Sequence, residues 1–378
     1  MVLMPGMVDL HAHLPQIPNA GLGSGLDLLT WLDRYIFPLE RAYDRSVAER
    51  QAPAAFRAFA AAGTTTVVAY GALWADSTDA AFAAAEEHGI RAVIGKVMMD
   101  RLTYDTDIDP GENLETSLRQ SDELAARWHG RDDGRLRYAF TPRFAVSCSK
   151  EMLRESASLA AHHGAYWQTH LSEDAGEISE VRRLFPDAGD YLDVYDRAEA
   201  LGTRTILAHA IHLSQREVER LVQSGSRVAH CPASNLFLAS GMMPLGAYRA
   251  AGMAVGLGSD VAAGPEVSIF SVMRAAAVTQ RVLELTAKSD AAHALRPLDW
   301  IRLGSLDGAR VLGMDAEIGS LEVGKEADVI AIDPRFTNPL PTDDPPSAAQ
   351  EVASRLVFRP HPNMVRGAWV RGRLLDLD

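Results

Sequence analysis

The chain has 378 residues, of which 47% are apolar and 23% charged, and this size allows one large folded domain with a small one beside it. Its 50 Asp and Glu residues outnumber its 37 Lys and Arg residues, giving a formal net charge of −13, which argues against broad contact with a nucleic acid backbone. No apolar run approaches the ~20 residues that span a bilayer, and the first residues lack the basic region and cleavage site of a signal peptide.

Short strand-like runs alternate along the chain with longer, often Ala-rich runs whose apolar residues recur at helical spacing. The predicted strands cover residues 7–13, 64–71, 90–99, 136–144, 165–171, 203–210, 226–231 and 253–260. The predicted helices cover residues 45–62, 80–89, 112–129, 150–164, 174–184, 213–224, 267–286 and 297–313. Ser149 is predicted to cap the fourth of these helices.

Eight strands that alternate with helices predict an α/β fold, a (β/α)8 TIM barrel. The strands read mostly as continuous apolar runs, which is typical of parallel strands buried on both faces. The alternative is an open doubly wound sheet, which would carry a Gly-rich phosphate turn after an early strand. The sequence has no such turn, so the barrel is favoured.

After residue 315 the sequence pattern changes to closely spaced turn residues and short strand-like runs. We expect a small β domain here, with a Pro-rich loop at 338–350 and a hairpin at 364–375 around Gly367 or Gly372. The predicted domain division is a metal-dependent barrel from 5 to 315 and a small β domain from residues 1–4 and 316–378.

Five candidate metal-site residues stand where a single barrel would bring them together: His11, His13, His170, His209 and Asp260. The first two belong to the alternating run VDLHAH, and side chains two apart on a strand point to the same side. The other three each follow a short apolar run that ends at a turn. Such positions, on the first, fifth, sixth and eighth predicted strands, are typical of the C-terminal rim of a barrel, where these folds carry their chemistry.

A zinc-like ion binds His nitrogens and Asp oxygens, and a catalytic site keeps one position for water, whose pKa the ion lowers towards ~7. Glu173 lies three residues beyond His170, and a carboxylate there can take a proton from water and pass it to a substrate. From spacing alone, His209 binds either the metal or the water, and Asp260 binds the metal and also accepts a proton. The pattern predicts hydrolytic attack on a carbon that bears a leaving nitrogen or oxygen.

Three further residues suggest how a substrate is recognised. Gln16 follows the His pair, and its amide both donates and accepts hydrogen bonds, as the edge of a heterocycle requires. Arg143 and Phe144 end the fourth strand and offer a fork of donors and a flat ring. The alternative interpretation makes Arg143 a structural salt-bridge residue and Phe144 part of the core.

The remaining His and Cys residues near the strands receive simpler interpretations. His230 ends the seventh strand and either lines the pocket or supports the structure. Cys148 and Cys231 are predicted to be buried small residues rather than nucleophiles. Two cysteines are too few for a disulfide framework, which favours a reducing, cytoplasmic location.

The chain resembles the amidohydrolase superfamily in the blocks PGMVDLHAH, THLSE, LAH, AHCPASNLFLASG and GLGSDVAAG. Within that superfamily it is similar to the guanine deaminases, in the blocks LLTWLDRYIFPLE, GKVMMD and FTPRFAVSCS. The last block is the most discriminating, because related triazine and pyrimidine deaminases lack it. The resemblance covers nearly the whole chain.

The resemblance implies a zinc-dependent enzyme, with iron as the alternative metal, that converts guanine and water to xanthine and ammonia in purine catabolism. The implied metal ligands are His11, His13, His170 and Asp260. The implied catalytic residues are Glu173 as proton shuttle, His209 beside the metal-bound water, and Asp260. The implied substrate-binding residues are Gln16, Arg143, Phe144, His170, Glu173 and His209. The resemblance also implies a homodimer.

Two alternative functions remain open at this point. A related deaminase would act on 8-oxoguanine, a pterin or a triazine, and Gln16, Arg143 and Phe144 are the residues that discriminate against it. A non-catalytic scaffold built on the same barrel would have lost metal ligands, all of which are present here.

The start of the chain departs from the resemblance. Relatives carry a longer segment before PGMVD, whose strands pair with the C-terminal appendage, whereas only MVLM stands here. We therefore expect a misassigned or shortened start, a small domain lacking most of its N-terminal half, and strands near 327–333 and 368–375 without partners.

Overall fold

Strands and helices alternate through most of the computed structural model, which describes residues 1–102, 110–287, 295–341 and 347–378. The strands are β1 Val2–Pro5, β2 Met7–His13, β3 Thr64–Tyr70, β4 Arg91–Gly95, β5 Val97–Met98, β6 Leu136–Pro142, β7 Tyr166–Leu171, β8 Thr205–His209, β9 Arg227–His230, β10 Ala254–Leu257, β11 Val329–Ile332, β12 Val365–Val370 and β13 Arg373–Leu374.

The helices surround and connect these strands. They are α1 Leu28–Trp31, α2 Phe37–Arg41, α3 Arg45–Ala61, α4 Ala75–His88, α5 Pro110–Trp128, α6 Arg131–Gly134, α7 Lys150–His163, α8 Ala175–Leu184, α9 Tyr191–Arg197, α10 Gln215–Ser224, α11 Pro232–Phe237, α12 Leu245–Ala250, α13 Ile269–Ala287, α14 Pro297–Leu303, α15 Leu306–Leu312 and α16 Ala349–Phe358. A π-helical turn links α1 to α2, and 3-10 segments cover Leu14–Asn19, Ala145–Ser147, Pro334–Thr337 and Pro362–Met364. None of the helices in the described ranges combines the length and apolar character needed to cross a bilayer.

The barrel strands pair in parallel in the order β2-β3-β4-β6-β7-β8-β9-β10, and β5 extends the line of β4 beside β6. The ring is nearly closed where the last strand meets the first. There the backbone N–H of Asp260 donates to the carbonyl of His11 at 2.7 Å, and that of His13 donates to Val261 at 3.2 Å. The predicted (β/α)8 barrel is confirmed, and its closure joins two of the candidate metal-site segments.

The barrel strands are buried almost completely. Every residue of β2, β3 and β7 is buried, as expected for parallel strands covered by helices on one face and by the barrel interior on the other. One buried cluster draws apolar side chains from successive strands together with Met314 and Ile318 from the segment after α15, among them Val8, Val68, Val93, Ala139, Ile206 and Ala229. A larger cluster lies between the strands and the helices. The rim residues are thus positioned by a packed scaffold.

A small antiparallel sheet in the order β1-β11-β12-β13 stands beside the barrel. Residues 2–5 pair with residues 329–332, and β11 pairs in turn with β12. The expectation that the C-terminal strands lack partners is therefore wrong, because the short N-terminal strand and the neighbouring C-terminal strands supply their hydrogen bonds. The hairpin turns at Arg371 and Gly372, which have φ values of 52° and 76°. The predicted division at residue 315 stays a prediction.

The helix predictions agree with the structure at some positions and differ from it at others. The expected cap is present, since Ser149 Oγ accepts from the Met152 N–H at 3.0 Å. The predicted helix 297–313 is two helices, α14 and α15, separated at Gly304 and Ser305. The short helix α9 and the C-terminal α16 were not predicted, and residues 342–346 of the predicted Pro-rich loop lie outside the described residues.

Candidate active site

Three imidazoles and a carboxylate converge at the C-terminal ends of the barrel strands. His11 and His13 end β2, His170 lies near the end of β7, and Asp260 follows β10. One nitrogen or oxygen from each lies within 4.8 Å of those of the other three. Oδ1 of Asp260 is 3.2 Å from Nε2 of His11 and 3.4 Å from Nε2 of His13. The four side chains can therefore contact one ion.

The backbone around these residues holds them in place. Nδ1 of His170 donates to the Arg143 carbonyl at 2.6 Å, which leaves Nε2 for the cluster. A Cβ on Gly258 would lie 2.7 Å from the Cβ of His11, so only glycine lets the end of β10 approach β2 this closely. Asp260 and His209 have φ values of 48° and 69°, a left-handed conformation that costs non-glycine residues ~1–3 kcal/mol and that clusters at functional sites.

The protonation of the cluster suits a divalent cation. Burial lowers the pKa of His11 to about 4 and the pKa of His170 well below its usual value, so both offer nitrogen lone pairs at neutral pH. Burial raises the pKa of Asp260, but hydrogen bonds from His11 and His13 and the charge of nearby imidazoles outweigh it and hold that pKa well below the usual value. Neutral imidazoles with one carboxylate are a donor set that Zn²⁺ accepts, so the residues present fit such a metal.

Glu173 and His209 flank this cluster. The backbone N–H of Glu173 donates to Oε2 of Glu177 at 2.8 Å, which holds the turn before α8. Burial first, and then the charge of Asp260, raises the pKa of Glu173 well above its usual value. His209 Nδ1 is 2.9 Å from Oδ1 of Asn235, while its Nε2 lies 3.4 Å from Glu173 and 3.8 Å from Asp260. That Nε2 is buried and has no hydrogen-bond partner among the described residues.

A pocket borders the cluster. The three predicted recognition residues, Gln16, Arg143 and Phe144, all line it together with His13, His170, Glu173 and Asp260. The rest of its lining is apolar and consists of Leu28, Trp31, Leu32, Leu238 and Ala263. Arg143 also forms a buried salt bridge with Glu40, and Phe144 belongs to the hydrophobic core. Arg143 and Phe144 therefore line the pocket and are also structural residues, one in a salt bridge and the other in the core.

Glu40 is a functional candidate that was not predicted from the sequence, although it ends the block LLTWLDRYIFPLE. Leu28, Leu32, Ile36 and Glu40 recur every four residues, and all four are buried. A carboxylate that continues an apolar helical face is the signal that could have identified it.

His230, Cys148 and Cys231 are also buried, and Cys231 lies beside the cluster, with its Sγ within 4.8 Å of a ring nitrogen of His11 and of His209. His230 is fully buried outside the pocket lining, and burial lowers its pKa to about 3, which favours the supporting interpretation. Cys148 and Cys231 are buried and form no disulfide, which confirms the prediction of buried small residues. Burial raises the pKa of the Cys148 thiol to about 12.

The model of the Amidohydrolase family matches residues 2–375. The guanine deaminase of Mus musculus is 36% identical over 336 residues, which cover 89% of this chain and 73% of that protein.

Two solved structures are informative about the site. The guanine deaminase of C. acetobutylicum, with guanine bound in its active site, has a TM-score of 0.91 and 30% identity, covering 99% of this chain and 86% of that one. An adenosine deaminase from Xanthomonas campestris with bound zinc has a TM-score of 0.83 and 28% identity, covering 98% and 80%. The chain is thus similar to deaminases over nearly its full length.

Proposed function

This chain belongs to the amidohydrolase family, and from that premise we propose that it catalyses the hydrolytic deamination of guanine to xanthine and ammonia. One observation carries the proposal: a single pocket is bordered both by residues of the buried His and Asp cluster and by Gln16, Arg143 and Phe144. The similarity to guanine deaminases over 89% of the chain supports the same reaction.

The metal would be held by His11, His13, His170 and Asp260. Zn²⁺ is the first candidate, supported by the donor set and by the zinc bound in the Xanthomonas campestris relative, and Fe²⁺ is the alternative. When bound, such an ion supplies a water molecule acidic enough to act as a nucleophile at neutral pH.

Glu173 is the residue that moves protons. Its carboxylate lies 3.4 Å from His209 and borders the pocket, so it can take a proton from the attacking water and deliver it to the ring nitrogen beside the amino-bearing carbon. Nε2 of His209 faces the same position and holds the attacking water in line. The second proton of the added water then passes from the new hydroxyl to the amino nitrogen, which leaves the tetrahedral carbon as ammonia, while the oxygen stays on the ring as a carbonyl.

Gln16, Arg143 and Phe144 would orient the purine. The Arg143 guanidinium can donate to a ring carbonyl, the Gln16 amide can meet an adjacent ring N–H, and Phe144 offers an aromatic surface at the pocket wall. The apolar walls around them exclude water from the flat faces of the base.

We also propose a cytoplasmic enzyme that forms homodimers. The two cysteines support the location, since both are buried and neither forms a disulfide, as expected in a reducing compartment. The homodimer rests on the resemblance to the guanine deaminases, and sedimentation equilibrium of the purified chain measures it directly.

The deciding experiment is a deamination assay on protein whose metal content has been measured. We expect guanine to yield equal amounts of xanthine and ammonia, with turnover that is lost on chelation and restored by Zn²⁺. The panel should include 8-oxoguanine, a pterin and an aminotriazine. Good turnover of one of these without turnover of guanine would overturn the proposal that guanine is the substrate. A folded chain that binds no zinc or iron would overturn the proposal of a metal-dependent enzyme.

A further inference from the structure

Glu40 is a fully buried carboxylate at the pocket that takes no part in the proposed chemistry. It lies in the last turn of α2, and both of its oxygens are engaged. Oε1 accepts from Nε2 of Gln16 at 2.8 Å, and Oε2 accepts from Nη1 of Arg143. One carboxylate therefore joins the two polar side chains on the recognition side of the pocket.

This contact decides which end of the Gln16 amide meets a ligand. An ionised carboxylate only accepts hydrogen bonds, so Gln16 must turn its NH₂ group towards Glu40. The amide carbonyl oxygen is then the end of Gln16 that is left to face the pocket. Without Glu40 the amide could present either end, because its two ends have the same shape.

The same helix turn holds Arg143 from two sides. Glu40 pairs with its guanidinium, and the Phe37 ring lies 5.3 Å from the guanidinium carbon. Phe37 and Glu40 are three residues apart on α2 and so lie on neighbouring positions of one helix face. Arg143 keeps its charge and presents N–H donors at the pocket that it lines. Only 2% of the residue is exposed to solvent.

We propose that Glu40 is a positioning residue that sets the hydrogen-bond polarity of the pocket, with an acceptor from Gln16 beside donors from Arg143. This pattern selects a ring with a carbonyl next to an N–H group, as guanine presents at C6 and N1. A 6-aminopurine presents the reverse, an amino donor next to an unprotonated nitrogen. Its amino group would face the N–H donors of Arg143 and could not form a hydrogen bond with them. The inference rests on the proposed function, because it assigns the origin of substrate choice within that same pocket.

The test compares wild type with Glu40→Gln and Glu40→Asp. For each protein, kcat and KM are measured for guanine and for 2,6-diaminopurine, which carries the same amino group at C2 but reverses the polarity at C6 and N1. In Glu40→Gln the new amide can donate to Gln16, so Gln16 can turn. We expect the kcat/KM ratio of guanine to 2,6-diaminopurine to fall at least about tenfold, with metal content unchanged.

Glu40→Asp separates charge from shape. It keeps an acceptor-only carboxylate but shortens the side chain by one methylene, so we expect a higher KM for guanine and a ratio within about threefold of wild type. Glu49→Gln, on an exposed pair of α3, is the control and should change neither rate nor ratio. A Glu40→Gln ratio equal to that of wild type, whatever the loss of rate, would show a purely structural role and overturn the inference.

A second measurement does not require turnover of the compared purines and does not depend on the folding of Glu40→Gln. Hypoxanthine and adenine, which lack the C2 amino group, are compared as competitive inhibitors of wild type and of Gln16→Met. We expect wild type to bind hypoxanthine at least about tenfold more tightly, and the variant to lose much of that preference. Equal inhibition of wild type would overturn the inference, whereas absence of guanine turnover by metal-loaded wild type would overturn the proposed function itself.

Discussion

Two clusters of ionisable side chains differ in charge balance: the rim cluster is buried and unbalanced, whereas the junction cluster, which is partly exposed at Glu326 and Arg371, balances its own charges. The junction cluster joins barrel strand β4 to the small sheet and consists of Arg91, Glu326, Asp328 and Arg371. The rim cluster consists of His11, His13, His170, Glu173, His209 and Asp260. In the junction cluster, Asp328 lies 2.9 Å from Arg91, and Glu326 pairs with Arg91 and lies 2.9 Å from Arg371.

The rim cluster has no such balance. Burial lowers the pKa of two of its imidazoles, His11 and His170, and the charge of Asp260 adds to burial in raising the pKa of Glu173. The Nε2 of His209 is buried without a hydrogen-bond partner in the described part of the chain. A cluster that neutralises itself needs no further charge, whereas a buried one left with negative charge and unused lone pairs is suited to a cation.

Removing one rim imidazole should have the largest effect. His11→Ala should lose the metal and all measurable turnover together, and should lower the melting temperature because bound metal stabilises only the folded state. Metal analysis, the guanine assay and thermal unfolding of the same preparation measure the three effects. Full metal occupancy in His11→Ala would contradict its place among the ligands.

Neutralising the proton carrier should separate chemistry from metal binding. Glu173→Gln should keep the metal but lower kcat by about 10²–10⁴-fold, the range that general acid–base catalysis contributes. Glu326→Gln in the junction cluster is the matched control and should keep turnover. If Glu173→Gln retained substantial turnover, another group would have to carry the protons.

Breaking the junction cluster should show the reverse behaviour. Asp328→Ala leaves the buried Arg91 guanidinium without its main partner, a change that costs about 3–5 kcal/mol of unfolding free energy. Urea unfolding measures this loss, while kcat of the folded fraction should stay that of wild type. Glu322→Ala removes an exposed pair with Lys325 and should cost less than about 1 kcal/mol; an equal cost for the two variants would refute the contrast.

The smallest expected effect is a dependence of stability on pH. Burial raises the pKa of Glu326, but a hydrogen bond from Arg371 and the charges of Arg91 and Arg371 outweigh it, and the net pKa is lowered. The unfolded chain therefore binds this proton more tightly, so the contribution of Glu326 is present above its unfolded pKa and is lost as the pH falls through the folded value. The difference in unfolding free energy between wild type and Glu326→Gln should shrink between about pH 6 and pH 3, and a constant difference would contradict this account.

Local sequence patterns were enough to predict the barrel and the membership of the rim cluster. Strand and helix periods are local properties, and every parallel strand of a barrel ends at the same rim, so residues at strand ends must converge. The spacing of His11 and His13 placed both on one side of β2 for the same reason. These predictions needed no knowledge of contacts between distant segments.

The features that depend on contacts between distant segments were seen only in the folded chain. Glu40 meets Gln16 and Arg143 across 24 and 103 positions of the chain, and residues 2–5 pair with residues 329–332. No local period records which distant group satisfies a buried carboxylate or the open edge of a strand, because any donor that the fold brings within reach will serve. The rim was therefore predictable from strand ends, whereas the polarity of its pocket and the completion of the small sheet became visible only when the chain was folded.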